Sequence, residues 1–426
     1  MRSRPLDARS GSAGLPRGLW VLLAANVVIA LGFGLIAPAL PIFASEFGVG
    51  VTAATAVVSA FAVMRLAFAP TTGRLVTKLG ERRIYLTGLL IVALSTLACA
   101  FAQDYWQLLA FRAAGGVGST MFSVSAMALL IRLAPPEMRG RSSGYFSAGF
   151  LVGSLAGPLI GAALVDFGLR LPFIVYAIAL LIAAAVVATN MPAAPAAAAP
   201  TDSDTATAPA AGFLQALKWP EYRAILASNF AQGWASMGVR IAVVPLFVGQ
   251  GLGRSAGWAG VVLACYAAGN IIAILVSGRL SDRFGRRPVM IPGLTIAAAS
   301  TAVLGFSPNI GTLLVLTVIG GVGSGLFAPT HQAALGDLLA DRQRGGSALA
   351  AYGMSSDFGA VSGPLVAGVI ADRWGYGPAF VVTGGVVAVA LVLWLVAGDP
   401  ARRSGATTSS EATSVDPTPH PRSELQ

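Results

Sequence analysis

The sequence predicts an all-α membrane protein, with twelve transmembrane helices arranged as two pseudo-symmetric six-helix bundles. Three observations support this expectation. Charged residues make up only 11% of the 426 residues, against roughly 25% in an ordinary soluble protein. Apolar runs of membrane-crossing length recur along the whole chain, and its second half repeats the first. With 55% hydrophobic residues, 51 Gly and 25 Pro, the apolar content exceeds what one soluble core can hide, whereas Gly and Pro are well tolerated in membrane helices. Cys99 and Cys265 both lie in apolar runs, and the histidines are His331 and His420. Neither a disulfide framework nor a metal site is therefore expected.

At 1.5 Å of rise per residue, about 20 apolar residues cross a hydrocarbon core of roughly 30 Å. The runs that meet this requirement cover 18–44, 51–77, 84–102, 105–133, 140–166 and 170–190, then 222–250, 255–281, 288–306, 309–339, 346–371 and 376–397. The basic stretch before Trp20 resembles a signal peptide, but the apolar run behind it is too long and lacks a clear small-residue cleavage site. It is expected to remain as the first span. Lys and Arg test the arrangement, because cationic residues near short loops stay cytoplasmic. Arg170, Arg254 and Arg373 fall on one side, Arg65, Arg112 and Arg240 fall inside spans, and every other Lys and Arg falls on the opposite side. Both termini are thus expected in the cytoplasm, with the chain in the plasma (inner) membrane. The net charge of +10 then needs no nucleic-acid partner.

Residues 191–215 are rich in Ala, Pro and Thr without apolar periodicity, the composition of a flexible linker. The expected organisation is an N-terminal tail (1–17), a first bundle (18–190), a cytoplasmic linker (191–221), a second bundle (222–397) and a disordered tail (398–426). The bundles repeat each other. Gly-Gly-Val-Gly-Ser at 115–119 returns at 320–324 and Gly-Arg-Leu at 73–75 returns at 278–280, both offset by 205. Gly-Pro-Leu at 157–159 returns at 363–365, and Asp166 and Pro172 match Asp372 and Pro378, offset by 206. Internal duplication of a multi-span unit is the mark of secondary transporters, whose halves rock about a site between them.

The loop between spans 8 and 9 carries Gly278, Leu280, Asp282, Gly285, Arg286 and Arg287, which fit G-x-L-x-D-x-x-G-R-R. The chain here resembles the major facilitator superfamily. A first copy lies between spans 2 and 3 with Gly73, Gly80, Arg82 and Arg83, but Thr77 replaces the acid. The resemblance implies a cytoplasmic latch at these loops that holds one conformation. Three further motifs point to the twelve-span drug:proton antiporters. Span 1 has Leu31, Gly32, Pro38 and Pro41; span 4 has Arg112, Gly116 and Gly118, an element the family links with proton coupling; span 5 has Gly153, Gly157, Pro158 and Gly161, a mark of exporters. Glycines at i, i+4 and i+8 also make a flat stripe on which another helix can pack closely, and Pro158 bends the helix.

A charge near the bilayer centre costs at least about 2.5–3.5 kcal/mol, so each intramembrane charge is a candidate for function. These are Arg65, Arg112, Arg240, His331 and Asp357, with Asp357 the acid well inside a span. Asp357 and Arg112 are the expected proton-coupling residues. Glu46, Asp104, Asp166 and Asp372 fall at outer boundaries, where a solvated rim position is expected. Arg65 and Arg240 face Asn270 and Ile36 in the repeat, an asymmetry that suggests substrate or ion handling. Asn26, Asn229, Gln232, Phe33, Tyr266 and Phe358 are candidate cavity lining. The excess of Arg over Asp suggests a cavity for neutral or anionic compounds.

The expected function is export of a small organic molecule driven by the proton gradient, by a monomer with no other cofactor. No P-loop appears, so ATP-driven pumping is not expected. No nucleophile–base pair or metal cluster marks an enzyme. The alternatives are a symporter or facilitator of a sugar or organic anion on the same fold and, more remotely, a non-transporting membrane receptor.

Overall fold

The computed structural model describes residues 16–135, 138–191, 210–340 and 346–397. Among them are twelve helices long and apolar enough to cross a membrane. The first six are α1 (Arg17–Ser45), α2 (Val51–Leu79), α3 (Glu81–Ala100), α4 (Tyr105–Leu133), α5 (Gly140–Val165) and α6 (Leu171–Asn190). The second six are α7 (Pro220–Gly251), α8 (Ala256–Phe284), α9 (Arg287–Leu304), α10 (Ile310–Leu339), α11 (Ser347–Trp374) and α12 (Tyr376–Val396). Every end lies within about three residues of the sequence reading. The tails 1–15 and 398–426, and 192–209 of the linker, lie outside the described residues.

The linker ends sooner than expected. Ala210–Ala216 form a short helix, and Phe213, Leu217 and Trp219 pack on the buried cluster around Tyr222 and Trp394. Phe213 and Leu217 are an i, i+4 apolar pair, which lies on one helical face. The Ala- and Pro-rich composition upstream conceals it.

Within the first half, α1 packs on α5 and α6, α2 on α4, and α3 on α4 and α6. In the second half, α7 packs on α11 and α12, α8 on α10, and α9 on α10 and α12. The two bundles therefore repeat each other pair for pair. The α5 glycines meet α1 of their own bundle. A Cβ on Gly157 would lie 2.5 Å from the Leu31 carbonyl oxygen, and one on Gly161 2.3 Å from that of Leu35. In the second bundle, a Cβ on Gly359 would lie 2.3 Å from the Phe230 oxygen, and one on Gly233 1.9 Å from the Ser356 oxygen. No side chain fits at these crossings. α7 yields to its neighbours in another way: Gly233–Val239 and Phe247–Gly251 are wide π-helical turns on either side of a segment containing Pro245. The sequence reading treats this span as an ordinary helix, because periodicity does not register a π turn.

The bundles meet along two seams, α2 against α11 and α5 against α8. Both seams are tight at the end away from Pro16 and Ala397, the first and last described residues. There Asp372 Oδ1 accepts the Val51 N–H (2.7 Å), and Oδ2 accepts the Thr52 N–H (2.8 Å) and the Thr52 hydroxyl. The carboxylate thus caps the N-terminus of α2 across the seam, where the helix dipole favours negative charge. Asp372 is exposed at the rim, as expected from its place near a span end, and is also bonded across the interface. One step deeper, Ser59 Oγ donates to the Val361 carbonyl (2.8 Å). On the other seam, a Cβ on Gly260 would lie 2.3 Å from the Pro158 oxygen. Toward Pro16 and Ala397 the same four helices part. Gly73, Gly140, Gly144, Gly278 and Gly353 have nothing within 4 Å of a Cβ position. A central cleft opens toward that end.

Two outcomes follow from these contacts. Gly157→Leu forces a side chain into a backbone contact and is expected to destabilise the first bundle by roughly 1–3 kcal/mol or more. It should lower the thermal midpoint in detergent by several degrees, and an unchanged midpoint would mean that α1 and α5 do not need this approach. Asp372→Ala removes the cap across the seam. In a background lacking Cys99 and Cys265, a Ser59→Cys probe should react several-fold faster with a water-soluble maleimide once Asp372→Ala is added. Equal rates would show that Asp372 does not hold the far end shut.

Candidate functional site

Asp357 lies ten residues into α11 from the open end, about 15 Å at 1.5 Å per residue, and is half-buried. Its neighbour Phe358 is exposed, with its ring 6.1 Å from that of Phe230. Arg65 on α2 is half-buried and is the charged group whose field acts on Asp357. Among the described residues three ion pairs form, and this is not one of them. Two opposite charges therefore sit near each other on the α2–α11 seam without closing into a bonded pair.

Arg112 and Arg240 lie elsewhere. Both are buried, at 6% and 5% exposure, each inside one bundle. Arg112, on α4, has its guanidinium 4.2 Å from the Phe61 ring centre, and Arg240, on α7, has its guanidinium 3.6 Å from the Tyr266 ring centre. Phe61 and Tyr266 are repeat mates, 205 residues apart. Each bundle thus sets an arginine on the same aromatic platform of its second helix, but delivers it from a different helix. Cation–π contacts of this kind are worth about 2 kcal/mol or more when desolvated. Arg240 does not reach the central cleft. It borders a small internal cavity of the second bundle with Ser236, Tyr266, Thr301, Gly320 and Ser324.

Asn26 donates to the Phe146 carbonyl (2.8 Å), and Asn229 donates to the Tyr352 carbonyl (2.5 Å) and to Ser355 Oγ (3.0 Å). These are matching bonds, α1 to α5 and α7 to α11, so both amides are engaged in holding helix pairs together. Gln232 Oε1 accepts from Ser324 Oγ (2.9 Å), and Ser236 Oγ lies 2.6 Å from the Tyr266 hydroxyl. Phe33 is half-buried, its ring 6.5 Å from that of Phe61. His331 is buried between Phe327 and Tyr352, with ring centres 5.9 and 5.8 Å away. Of the candidates, Asp357 and Arg65 come together on the α2–α11 seam, Phe358 packs toward Phe230 of α7, and the arginines 112 and 240 and the two asparagines are spread through the bundle interiors.

The two motif loops show a relation that the sequence reading missed. Gly80 and Gly285 both have positive φ (83° and 93°) with nothing near a Cβ position, so backbone conformation alone calls for glycine there. The next residues are Glu81 and Arg286. Glu81 pairs with Arg132 (3.3 Å), and Arg286 pairs with Asp337 (2.8 Å) and Asp282 (2.6 Å). Residues 81 and 286 are repeat mates, as are 132 and 337, so the same ion pair occurs in both halves with its signs exchanged. Asp337 first, and then Asp282, push the pKa of Arg286 up from the ordinary arginine value. Arg82 donates to the Ala188 carbonyl and Arg287 to the Leu395 carbonyl, each at the C-terminal end of the last helix of its bundle. Asp337 and Arg132 lie near the ends of α10 and α4, where the sequence reading assigned no role. The 205-residue offset that relates the halves is the signal that pairs them.

The chain is similar over 390 residues to multidrug resistance protein 2 of Bacillus subtilis (strain 168), at 26% identity, covering 89% of this chain and 94% of that protein. Its fold matches a bacterial homolog of the human lysosomal transporter Spinster, in an inward-facing and unoccupied conformation, with a TM-score of 0.73 and 16% identity. That match covers 90% of this chain and 97% of the other. A D-xylose–proton symporter matches with a TM-score of 0.70 and 16% identity, covering 90% and 98%. The Major Facilitator Superfamily model matches residues 22–239 and again 225–424, one match for each half, so the chain belongs to that superfamily and is a multi-pass membrane transporter of small molecules.

Proposed function

We propose that the protein exports a small organic molecule in exchange for protons by alternating access. The observation that supports this most directly is Asp357, a half-buried acid at mid-depth on the cleft side of α11, with Arg65 close but not bonded to it. A carboxylate held in a tight ion pair has no free position for a proton, whereas one that meets water when the cleft opens can exchange it. In the proposed cycle Asp357 takes a proton when the cleft faces the outside and releases it when the cleft faces the cytoplasm as substrate binds. The energy source is the proton gradient.

The open end carries Pro16 and Ala397, the first and last described residues, and the described loop residues Arg74, Lys78, Arg82, Arg83, Arg279, Arg283, Arg286 and Arg287, so the positive-inside rule supports reading this state as inward-facing, in the cell membrane. The motif loops support the latch reading. Gly73 and Gly278 face open space here, and small residues at those positions fit a second state in which the bundles close at this end. The fold is shared with a sugar symporter and does not by itself choose a direction of transport. Export is favoured by the α5 motif and by the multidrug resistance name of the relative that spans most of the chain.

Reconstituted protein tests the proposal. Neutral, anionic and cationic fluorescent compounds are screened in proteoliposomes with an internal pH dye. Substrate movement should run opposite to the proton flux, and Asp357→Asn should abolish the proton-driven component while substrate binding stays detectable. Cotransport in the same direction would make the protein a symporter. Wild-type proton flux through Asp357→Asn would move the carrier elsewhere, with Glu46 and Asp166 next to be examined.

A further inference from the structure

The internal cavity of the second bundle holds a cation without a counter-charge. Arg240 is 5% exposed, and its Nε and Nη1 have no hydrogen-bond partner among the described residues. No ion pair reaches it among the described residues. Its guanidinium carbon lies 3.6 Å from the Tyr266 ring centre, and no carboxylate among the described residues pairs with its edge. The cavity at that edge is bordered by the hydroxyls of Ser236, Thr301 and Ser324 and by Gly320, where even a Cβ would come within 3.6 Å of Arg240 Nη2. All of these are neutral; Ser324 already donates to Gln232, and Ser236 shares a hydrogen bond with the Tyr266 hydroxyl, so none brings a charge to the arginine. The opening admits one water-sized particle beside the arginine and excludes an organic molecule. The first bundle solves the same space differently. Gly32 stands 204 residues before Ser236, as Ile36 does before Arg240, and the Tyr176 ring crowds the place where a Gly32 Cβ would be. An aromatic ring fills one bundle where the other has a cavity and a cation.

We propose that the Arg240 cavity binds a single monatomic inorganic anion, of the chloride class, as a fixed counter-ion inside the second bundle. Stripping a guanidinium of water without an anion is among the most expensive arrangements in a low-dielectric interior. Chloride supplies the missing charge, accepts from an unpartnered N–H group of the guanidinium, and is far smaller than a carboxylate-bearing substrate. Arg240 then acts as the holder of this ion, which tightens α7 against α8, α9 and α10, and the transported compound is met at the cleft by other residues. This inference does not depend on the direction of transport or on the proton carrier.

Binding of radioactive chloride to the purified protein, in gluconate buffer, tests it. The full chain should bind about one chloride saturably, and bromide should compete. Chloride should also raise the thermal midpoint above that in gluconate. Arg240→Gln should weaken chloride binding at least tenfold and remove the thermal response, while Arg65→Gln, on the cleft, should leave both unchanged. If Arg240→Gln fails to fold, bromide soaked into crystals of the wild-type chain locates the ion by anomalous scattering, and the peak is expected at the Arg240 edge. Absence of saturable chloride binding to the wild type, an unchanged chloride affinity in Arg240→Gln, or a bromide peak only elsewhere would overturn the proposal. Stabilisation by organic acids but not by chloride would also overturn it, and would return Arg240 to the substrate.

Discussion

The close approach of α1 to α5, and of α7 to α11, is the contact on which the rest of the structure depends. In lipid an apolar side chain gains little by leaving the solvent for another helix, so association relies on packing contact and on hydrogen bonds between helices. Both depend on distance. At Gly157 and Gly161, and at Gly233 and Gly359, the neighbouring backbone occupies the place of the missing side chain. This closeness lets Asn26 reach the Phe146 carbonyl and Asn229 reach that of Tyr352. Once these two helix pairs are fixed, the other faces of α5 and α11 are presented to α8 and α2, and the seams between bundles follow.

The repeat preserves interactions more faithfully than residues, and physical constraints decide which. Glu81–Arg132 and Arg286–Asp337 exchange their signs freely because an ion pair is indifferent to which partner carries which charge. The adjacent Arg82 and Arg287 do not exchange. Each donates to a carbonyl at the end of a helix, where the dipole is negative and only a cation is favoured. A pair of like function can therefore drift in sequence after duplication, whereas a charge facing a helix end is fixed in sign. For the same reason the conformation of the loop glycines survives in both halves. A positive φ leaves no other inexpensive choice.

The sequence made the spans legible because the bilayer demands long uninterrupted apolar runs, and a run that long has few alternative readings. The pairing of the halves was legible from the 205-residue offset. The site was legible only in part. Asp357 could be found because an acid deep in an apolar run is conspicuous, and Arg65 because it breaks the repeat. The burial of Arg240 behind α7 was not accessible, since depth along a helix is written in the sequence but the facing direction depends on the partners of each face. The π turns of α7 shift that direction further. Asp372 is exposed at the rim, as a carboxylate at a span end usually is, but its bonds could not be read from that position. Its true partners, the amides of Val51 and Thr52, lie more than three hundred residues away in the chain.

The mid-membrane charges occupy positions the repeat leaves unmatched. Opposite Arg65, Asp357, Arg240 and Arg112 stand Asn270, Leu151, Ile36 and Thr317. A symmetric scaffold supplies two bodies that can rock on a hinge, but rocking alone carries no preference for one ion or molecule over another. Preference requires groups whose energy differs between the two states, and those groups need not be duplicated. Arg65 and Asp357 meet this requirement, because they face each other across the α2–α11 seam, where closing the near end would take water from both. Arg112 and Arg240 do not, because each is enclosed by helices of a single bundle and keeps its aromatic platform as that bundle moves as a body. The division between charges on the seam and charges inside the bundles therefore separates groups that respond to the motion from groups that travel with it.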